Sequence, residues 1–185
     1  MKPSDMFYAV ATGPERRRRI LTPVGLVIFS ALLVGVVIGG LATDRALSLP
    51  PLLPGAPGDA VGTLFVVAGA ALWAWCVVLF RRAGGTPVPF NPPRELVTSG
   101  PFAHVRNPIL VGVFSALFGL GFLLHSLALV IIWTPAFLVF NVISLKVVEE
   151  PELERRFGES YREYRRRVPM FLPRIAHRKS TRAAP

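Results

Sequence analysis

Cysteine is nearly missing from this chain: Cys76 is the sole one in 185 residues. That excludes an internal disulfide and a cysteine-based metal site. Acidic residues are also few, 11 Asp and Glu against 21 Lys and Arg, for a formal net charge of +10. Charge of either sign is absent from Val24 to Ala42, from Ala60 to Phe80 and from Ile109 to Leu145. There is no strand-like alternation, no Gly-rich phosphate loop after a strand, no zinc-ligand spacing and no nucleophile elbow. No metal site is expected. The lack of an internal repeat and of charge at mid-membrane positions argues against a transporter.

What is present is apolar. Hydrophobic residues make up 52% of the chain and the mean hydropathy is +0.50. The first two uncharged runs are each long enough to cross a ~30 Å hydrocarbon core as a helix. The third is too long for one helix, and His125-Ser126 near its middle marks a turn, giving two spans of roughly eighteen residues. The pattern predicts an all-α integral membrane protein with four transmembrane helices, the last two forming a helix-turn-helix hairpin. A basic run, Glu15–Arg19, precedes the first span, which reads as a signal-anchor-like helix and not as a cleaved leader. Four spans place every Lys and Arg except Arg45 on one side. The positive-inside rule makes that side cytoplasmic, with both termini and any site built there; in a bacterium the membrane would be the inner or plasma membrane. The basic excess then reflects topology and attraction to anionic lipid headgroups. Nucleic acid is not an expected partner, and no obligate protein partner is evident.

The chain divides into residues 1–93, with a polar surface lead through Thr22 and two spans, and residues 94–185, with the hairpin and a C-terminal element. Asp44–Asp59 is a Pro- and Gly-rich loop. Arg81–Pro93 holds two glycines and four prolines, so it runs extended as a lid or wall. Glu95–Thr98 is a short turn or strand. After the hairpin, Leu153, Phe157, Tyr161, Tyr164 and Val168 recur at spacings of four, four, three and four, predicting an amphipathic cytoplasmic helix over Glu149–Val168. The last residues, from Ala176, read as a frayed tail.

Two polar blocks flank the hairpin and meet at one membrane face: SGPFAHVRNP from Ser99, and EEPELERRFGESYREYRRRVPMFLP from Glu149. Glu149 and Glu150 point about 100° apart on a helix, so one can face inward while the other meets water. An inward carboxylate suits ribose hydroxyls or an ammonium; the alternative is a solvated helix end. Arg106 offers a planar fork for a carboxylate, or snorkels to headgroups. His104 exchanges protons near neutral pH, or lies on the surface. Asn107 before Pro108 is a natural N-cap. Gly119 and Gly121 allow close helix packing or leave room for a ligand. Asn141 and Ser144 are each explained by one interhelical hydrogen bond. Tyr161 and Tyr164 dock on the bundle, with hydroxyls able to reach a site and face substrate or lipid.

Together the blocks resemble the membrane methyltransferase superfamily, which includes isoprenylcysteine carboxyl methyltransferases and phospholipid N-methyltransferases. Members carry G-P-[FY]-x-x-[VT]-R-[HN]-P-x-Y before a helical hairpin, and E-E-x-x-L-x-x-x-F-G-x-x-Y-x-x-Y-x-x-x-V-P-x-x-[LI]-P after it. This chain gives GPFAHVRNPIL from Gly100 and the Glu149 block quoted above. The resemblance covers Thr98 to Pro173. It implies that S-adenosylmethionine is the cofactor and that His104, Arg106, Asn107, Pro108, Glu149 and Glu150 line its pocket. Gly119 and Gly121 look like a GxG segment of the phospholipid enzymes. His104, Arg106 and Glu150 become the catalytic candidates, with His104 or Glu150 as base for an amine acceptor. The implied acceptor is a membrane lipid, with a phospholipid amine slightly preferred over a carboxylate or thiol on a prenylated or other hydrophobic molecule. A non-catalytic binding or scaffold protein of the same fold is the remaining alternative. Leu110 departs from the pattern, standing where many members have Tyr.

Overall fold

The structure, a computed structural model, describes residues 15–86 and 91–172. Its helices are α1 (Glu15–Ala46), α2 (Ala56–Arg82), α3 (Pro108–Leu123), α4 (Leu129–Phe157) and α5 (Glu159–Arg167). A single 3₁₀ turn, Gly100–Ala103, precedes α3. The described residues are otherwise irregular, and Glu95–Thr98 is neither strand nor helix. Met1–Pro14 and the tail from Pro173 lie outside the described residues, as does 87–90 within the expected wall.

Among the described residues, three helices are long and apolar enough to span a membrane: Ile20–Ala46, Ala56–Arg82 and Leu129–Phe157. The sequence predicts four spans, two of them equal halves of the hairpin. The hairpin is instead lopsided. α3 has 16 residues, about 24 Å of helix, which is short of the ~30 Å core. α4 runs 29 residues and carries the first part of the Glu149 block, through Phe157, inside it. The apolar residues face outward: the most hydrophobic windows of the long helices are only 11%, 17% and 17% buried. Val27, Leu64 and Ile131 are more than half exposed. Such a surface requires lipid, and the chain is an integral membrane protein.

Two further boundaries differ from expectation. α1 begins at Glu15, eight residues before the expected start, because arginine is a good helix former and Pro23 leaves only one turn strained. The helix expected over Glu149–Val168 is two pieces: Gly158, at φ 56°, turns the chain between Phe157 and Glu159.

Glycine brings α2 and α3 together. Gly62 and Gly69, seven residues apart, meet Gly119 and Gly112, also seven apart, in antiparallel order. A Cβ on Gly119 would lie 2.6 Å from the Gly62 carbonyl oxygen, and one on Gly69 would lie 2.5 Å from that of Gly112. α1 crosses the start of α4 in the same way, with Gly40 on the Leu129 backbone and Gly39 under the Trp133 ring. Trp133 Nε1 donates to Thr43 Oγ1 at 3.0 Å. The core between these contacts holds Val36, Val113, Leu117, Leu129 and Phe137.

The hairpin turns where expected, with His125 at φ 49°. Asp44 on α1 holds that turn: its carboxylate accepts from Ala128 N at 2.8 Å and from the Ser126 hydroxyl, which accepts from Leu129 N at 3.1 Å. A carboxylate at the exposed amides of a helix start is favourable for hydrogen bonding and dipole alike.

Both ends of α4 contain a wide turn closed by bonds over five residues: Thr134 N–H to Leu129 O, and Glu150 N–H to Leu145 O. Each precedes a proline, Pro135 or Pro151. A helical proline has no N–H, and its ring crowds the carbonyl four residues back, here Ile131 or Val147. Widening the turn relieves that crowding. The second wide turn resets the facing of Glu149 and Glu150, and such turns are frequent at functional sites.

Candidate active site

At the Glu149 end of the bundle the helices part around a cavity of about 840 Å³, within the usual size of small-molecule sites. It lies between α1, α2, α3 and α4, and the chain from Pro92 to Val97 closes one side. α1 contributes an apolar flank, including Leu26, Phe29 and Leu33. Both expected halves of the chain therefore line one cavity.

Arg106 organises the polar end. Its Nη2 donates to Glu150 Oε1 at 2.6 Å, and both side chains are about 85% buried. Its Nη1 donates to the carbonyls of Arg165 (3.0 Å) and Val168 (2.8 Å), the last turn of α5. Backbone bonds extend the joint: Arg106 N to Pro169 O at 2.8 Å, and Asn107 N to Met170 O at 3.1 Å. Arg106 thus ties the start of α3, the end of α4 and the C-terminal segment into one body. Its Nε stays buried with no partner among the described residues. Asn107 caps α3, accepting from Leu110 N at 3.1 Å, and Pro108 takes the first helical position.

The two acidic residues have different surroundings. Glu150 is held by Arg106, with Arg165 at 4.0 Å. Glu149 lines the cavity and has no hydrogen bond or ion pair among the described residues. Both arginines on the lining are paired, Arg106 to Glu150 and Arg156 to Glu152. The cavity therefore carries a carboxyl group with no protein partner among the described residues, that of Glu149.

Tyr161 and Tyr164 are both buried and line the cavity. The Tyr164 hydroxyl donates to Phe102 O at 2.7 Å, docking α5 on the Gly100 turn. Burial pushes its pKa up to about 12. The Tyr161 hydroxyl has no hydrogen-bond partner among the described residues. Burial, then the Glu150 charge, pushes its pKa up, so it stays a donor at any physiological pH. Replacing Tyr164 with Phe is expected to cost about 1 kcal/mol of stability. The raised pKa adds a pH signature. Wild-type stability is full below the unfolded-state value near 10 and declines as pH rises toward 12. Thermal unfolding in detergent at pH 9 and pH 11.5 checks both, and Tyr164→Phe shows the smaller alkaline decline.

Not every candidate reaches the cavity. His104 is exposed and does not line it. Phe102 and Val105 are buried on the inner side of the Gly100 turn, which leaves Ala103 and His104 facing out. Gly119 and Gly121 are also away from the lining: Gly119 touches α2, and a Cβ on Gly121 would lie 2.3 Å from Val130. Both are packing glycines. Gly119→Ala is expected to lower stability by about 1–3 kcal/mol through overpacking. Ligand affinity of the folded fraction should be unchanged, which denaturation and binding on the same preparation would establish.

Asn141 and Ser144 line the cavity instead of bridging helices. Asn141 Nδ2 donates within its own helix, to Phe137 O at 2.7 Å, so its Oδ1 remains for the cavity. Their spacing to Glu149, eight and five residues, was visible in the sequence. The wide turn that brings all three to one cavity was signalled only by Pro151.

The sequence model of one family, phospholipid methyltransferase, matches residues 59–160, more than half of the chain. The chain belongs to the phospholipid methyltransferase family. Among curated proteins it is similar to the nickel-cobalt-cadmium resistance protein NccN of Alcaligenes xylosoxydans xylosoxydans: 29% identical over 150 residues, 81% of this chain and 63% of that one. It is similar to the protein-S-isoprenylcysteine O-methyltransferase of Schizosaccharomyces pombe: 34% identical over 86 residues, 46% of this chain and 36% of that one. It is also similar to the cobalt-zinc-cadmium resistance protein CzcN of Cupriavidus metallidurans: 36% identical over 81 residues, 44% of this chain and 37% of that one. The chain thus spans less than two thirds of each relative's length. No solved structure matches it. The family match includes most of α2, all of α3 and nearly all of the cavity's polar end, and it begins after α1, which supplies the apolar flank.

Proposed function

We propose that this protein is an integral membrane methyltransferase that uses S-adenosylmethionine and acts on the amine headgroup of a phospholipid. The observation that carries the reading is the cavity's unpaired carboxyl group, Glu149, in a site whose two arginines are both committed to other carboxylates. The donor set fits the cofactor. Glu149 and Asn141 Oδ1 accept from an ammonium or from ribose hydroxyls, and the Tyr161 hydroxyl and Ser144 complete the set. Bound there, S-adenosylmethionine would supply an activated methyl group on a sulfonium. Arg106 belongs to the supporting frame in this reading, with its Nη donors spent on Glu150, Arg165 and Val168.

The same carboxyl group favours an amine over a carboxylate as acceptor. A carboxylate entering beside unpaired Glu149 meets like charge, whereas an ammonium is drawn in. An ammonium must lose a proton before it can act as a nucleophile. Glu149 is the carboxylate free to hold that proton, since Glu150 is tied to Arg106. The apolar flank from α1 excludes water and receives lipid. The excess of basic residues at this end supports a cytoplasmic placement by the positive-inside rule, in which α3 would be a short fourth crossing. A carboxyl acceptor on a prenylated molecule remains the rival, favoured by the isoprenylcysteine O-methyltransferase relative.

Transfer of labelled methyl from S-adenosylmethionine into phosphatidylethanolamine vesicles tests the reading. Base-stable label in the lipid is expected; label released by mild base would assign a methyl ester and the rival acceptor.

A further inference from the structure

The cavity wall is fastened by a pair of buried charges that the proposed chemistry does not use. Glu152 and Arg156 lie one turn apart on α4, with Nη1 to Oε1 at 3.3 Å and side chains 8% and 11% exposed. Both line the cavity. Arg156 Nη2 also crosses to the irregular segment after α2 and donates to Pro93 O at 2.5 Å. Its guanidinium lies 4.8 Å from the centre of the Phe157 ring. Pro93 is seated from its other side by Gly85: a Cβ there would lie 2.3 Å from Pro93 N and 2.6 Å from Pro92 C. Arg94 N donates to Ala83 O at 3.2 Å, and Thr86 N to Asn91 O at 2.7 Å. Pro93 is therefore clamped between the end of α2 and Arg156. The residues that follow it, Leu96 and Val97, join the apolar flank that α1 supplies through Leu26, Phe29 and Leu33.

We propose that Arg156 is a positioning residue for the lipid acceptor: braced by Glu152, it holds the Pro93 carbonyl and so fixes the Pro92–Val97 wall of the acceptor's side of the cavity. The planar fork is what the role requires. One nitrogen meets the carboxylate and the other reaches the carbonyl, a division that the single ammonium of lysine does not reproduce at the same reach. In its kinetic consequence the inference rests on the methyltransferase reading; the fastening of the wall does not.

Two variants and two measurements test it. Arg156→Lys keeps a charge for Glu152 and gives up the reach to Pro93. The Glu152→Leu/Arg156→Leu pair removes both charges together, which spares the fold an orphaned buried ion. Amide hydrogen exchange in detergent reads the wall directly: the Arg94 amide, bonded to Ala83 O, is expected to exchange faster in both variants, with α2 and α3 unchanged. Kinetics on phosphatidylethanolamine vesicles read the consequence: KM for the acceptor rises about tenfold and kcat stays within about threefold. The dissociation constant for S-adenosylmethionine is expected to stay within about twofold. Wild-type exchange at Arg94 in either variant overturns the inference. So does full kinetic recovery in the Leu pair, because that result makes the ion pair a matter of charge burial alone. Wild-type protein that methylates no amine lipid would defeat the function proposed above, while the exchange result would still decide whether Arg156 holds the wall.

Discussion

Replacing Arg106 with alanine is expected to unfold the Glu149 end of the bundle, not merely to weaken a ligand. The guanidinium bonds Glu150, the Arg165 carbonyl of α5 and the Val168 carbonyl just beyond it, and the Arg106 backbone N–H reaches Pro169 O. Removing it leaves Glu150, about 85% buried, as an uncompensated charge, a loss of about 3–5 kcal/mol. The Arg165 and Val168 carbonyls lose their donor as well. Set against a typical total of about 5–15 kcal/mol, that loss releases α5 and the C-terminal segment. Limited proteolysis, with cleavage newly appearing between Glu159 and Met170, would show it, as would a lowered unfolding midpoint. Arg106→Lys should fall between the two, since one ammonium cannot serve a carboxylate and two carbonyls with fork geometry. A protease-resistant, fully stable Arg106→Ala would return Arg106 to the role of a free ligand for a cofactor carboxylate.

Replacing Glu149 with glutamine is expected to abolish function while leaving the fold intact. Glu149 has no partner among the described residues, so the substitution strands nothing in the protein. A neutral amide gives up charge-assisted bonding to an ammonium or ribose hydroxyl, about 1–3 kcal/mol, which is a tenfold to hundredfold rise in Kd at about 1.4 kcal/mol per decade. It also removes the proton acceptor for an amine. Calorimetric titration of S-adenosylmethionine into detergent-solubilised protein measures the first effect, beside an unfolding curve matching wild type. Glu150→Gln should behave oppositely: it weakens the joint with Arg106 and lowers stability before it alters binding. The contrast assigns separate duties to two adjacent carboxylates of one motif.

Much of this architecture is written in local sequence. Uncharged runs mark the helices, and His125-Ser126 marks the hairpin turn. The Asn107-Pro108 pair starts α3 as a cap and a first-turn proline should. The lopsided hairpin was harder to foresee, because hydropathy does not distinguish α4 ending at Leu145 from α4 carrying a charged turn to Phe157. The arrangement of the site depends on long-range pairing. Arg106 looks like a ligand-binding group by residue type, and only the chain folding back through Arg165 and Val168 shows its donors already occupied. Glu152 and Arg156 look like an exposed i, i+4 pair on an amphipathic helix, and they become buried because Pro92 and Pro93 lie over them. Gly119 fits a ligand motif by spacing, yet its register with Gly62, set by α2, makes it a packing contact. Pro135 and Pro151 were legible causes of the wide turns, since the steric conflict is local.

The measurement that bears most directly on the account is methyl transfer from labelled S-adenosylmethionine by protein reconstituted into vesicles holding either phosphatidylethanolamine or a prenylated carboxylate. Base-stable label in the amine lipid, none in the carboxylate, and loss of transfer in Glu149→Gln are expected. Equal transfer by the Glu149→Gln protein, or label confined to the carboxylate, would contradict the claim that an unpaired glutamate in this cavity selects a cationic acceptor.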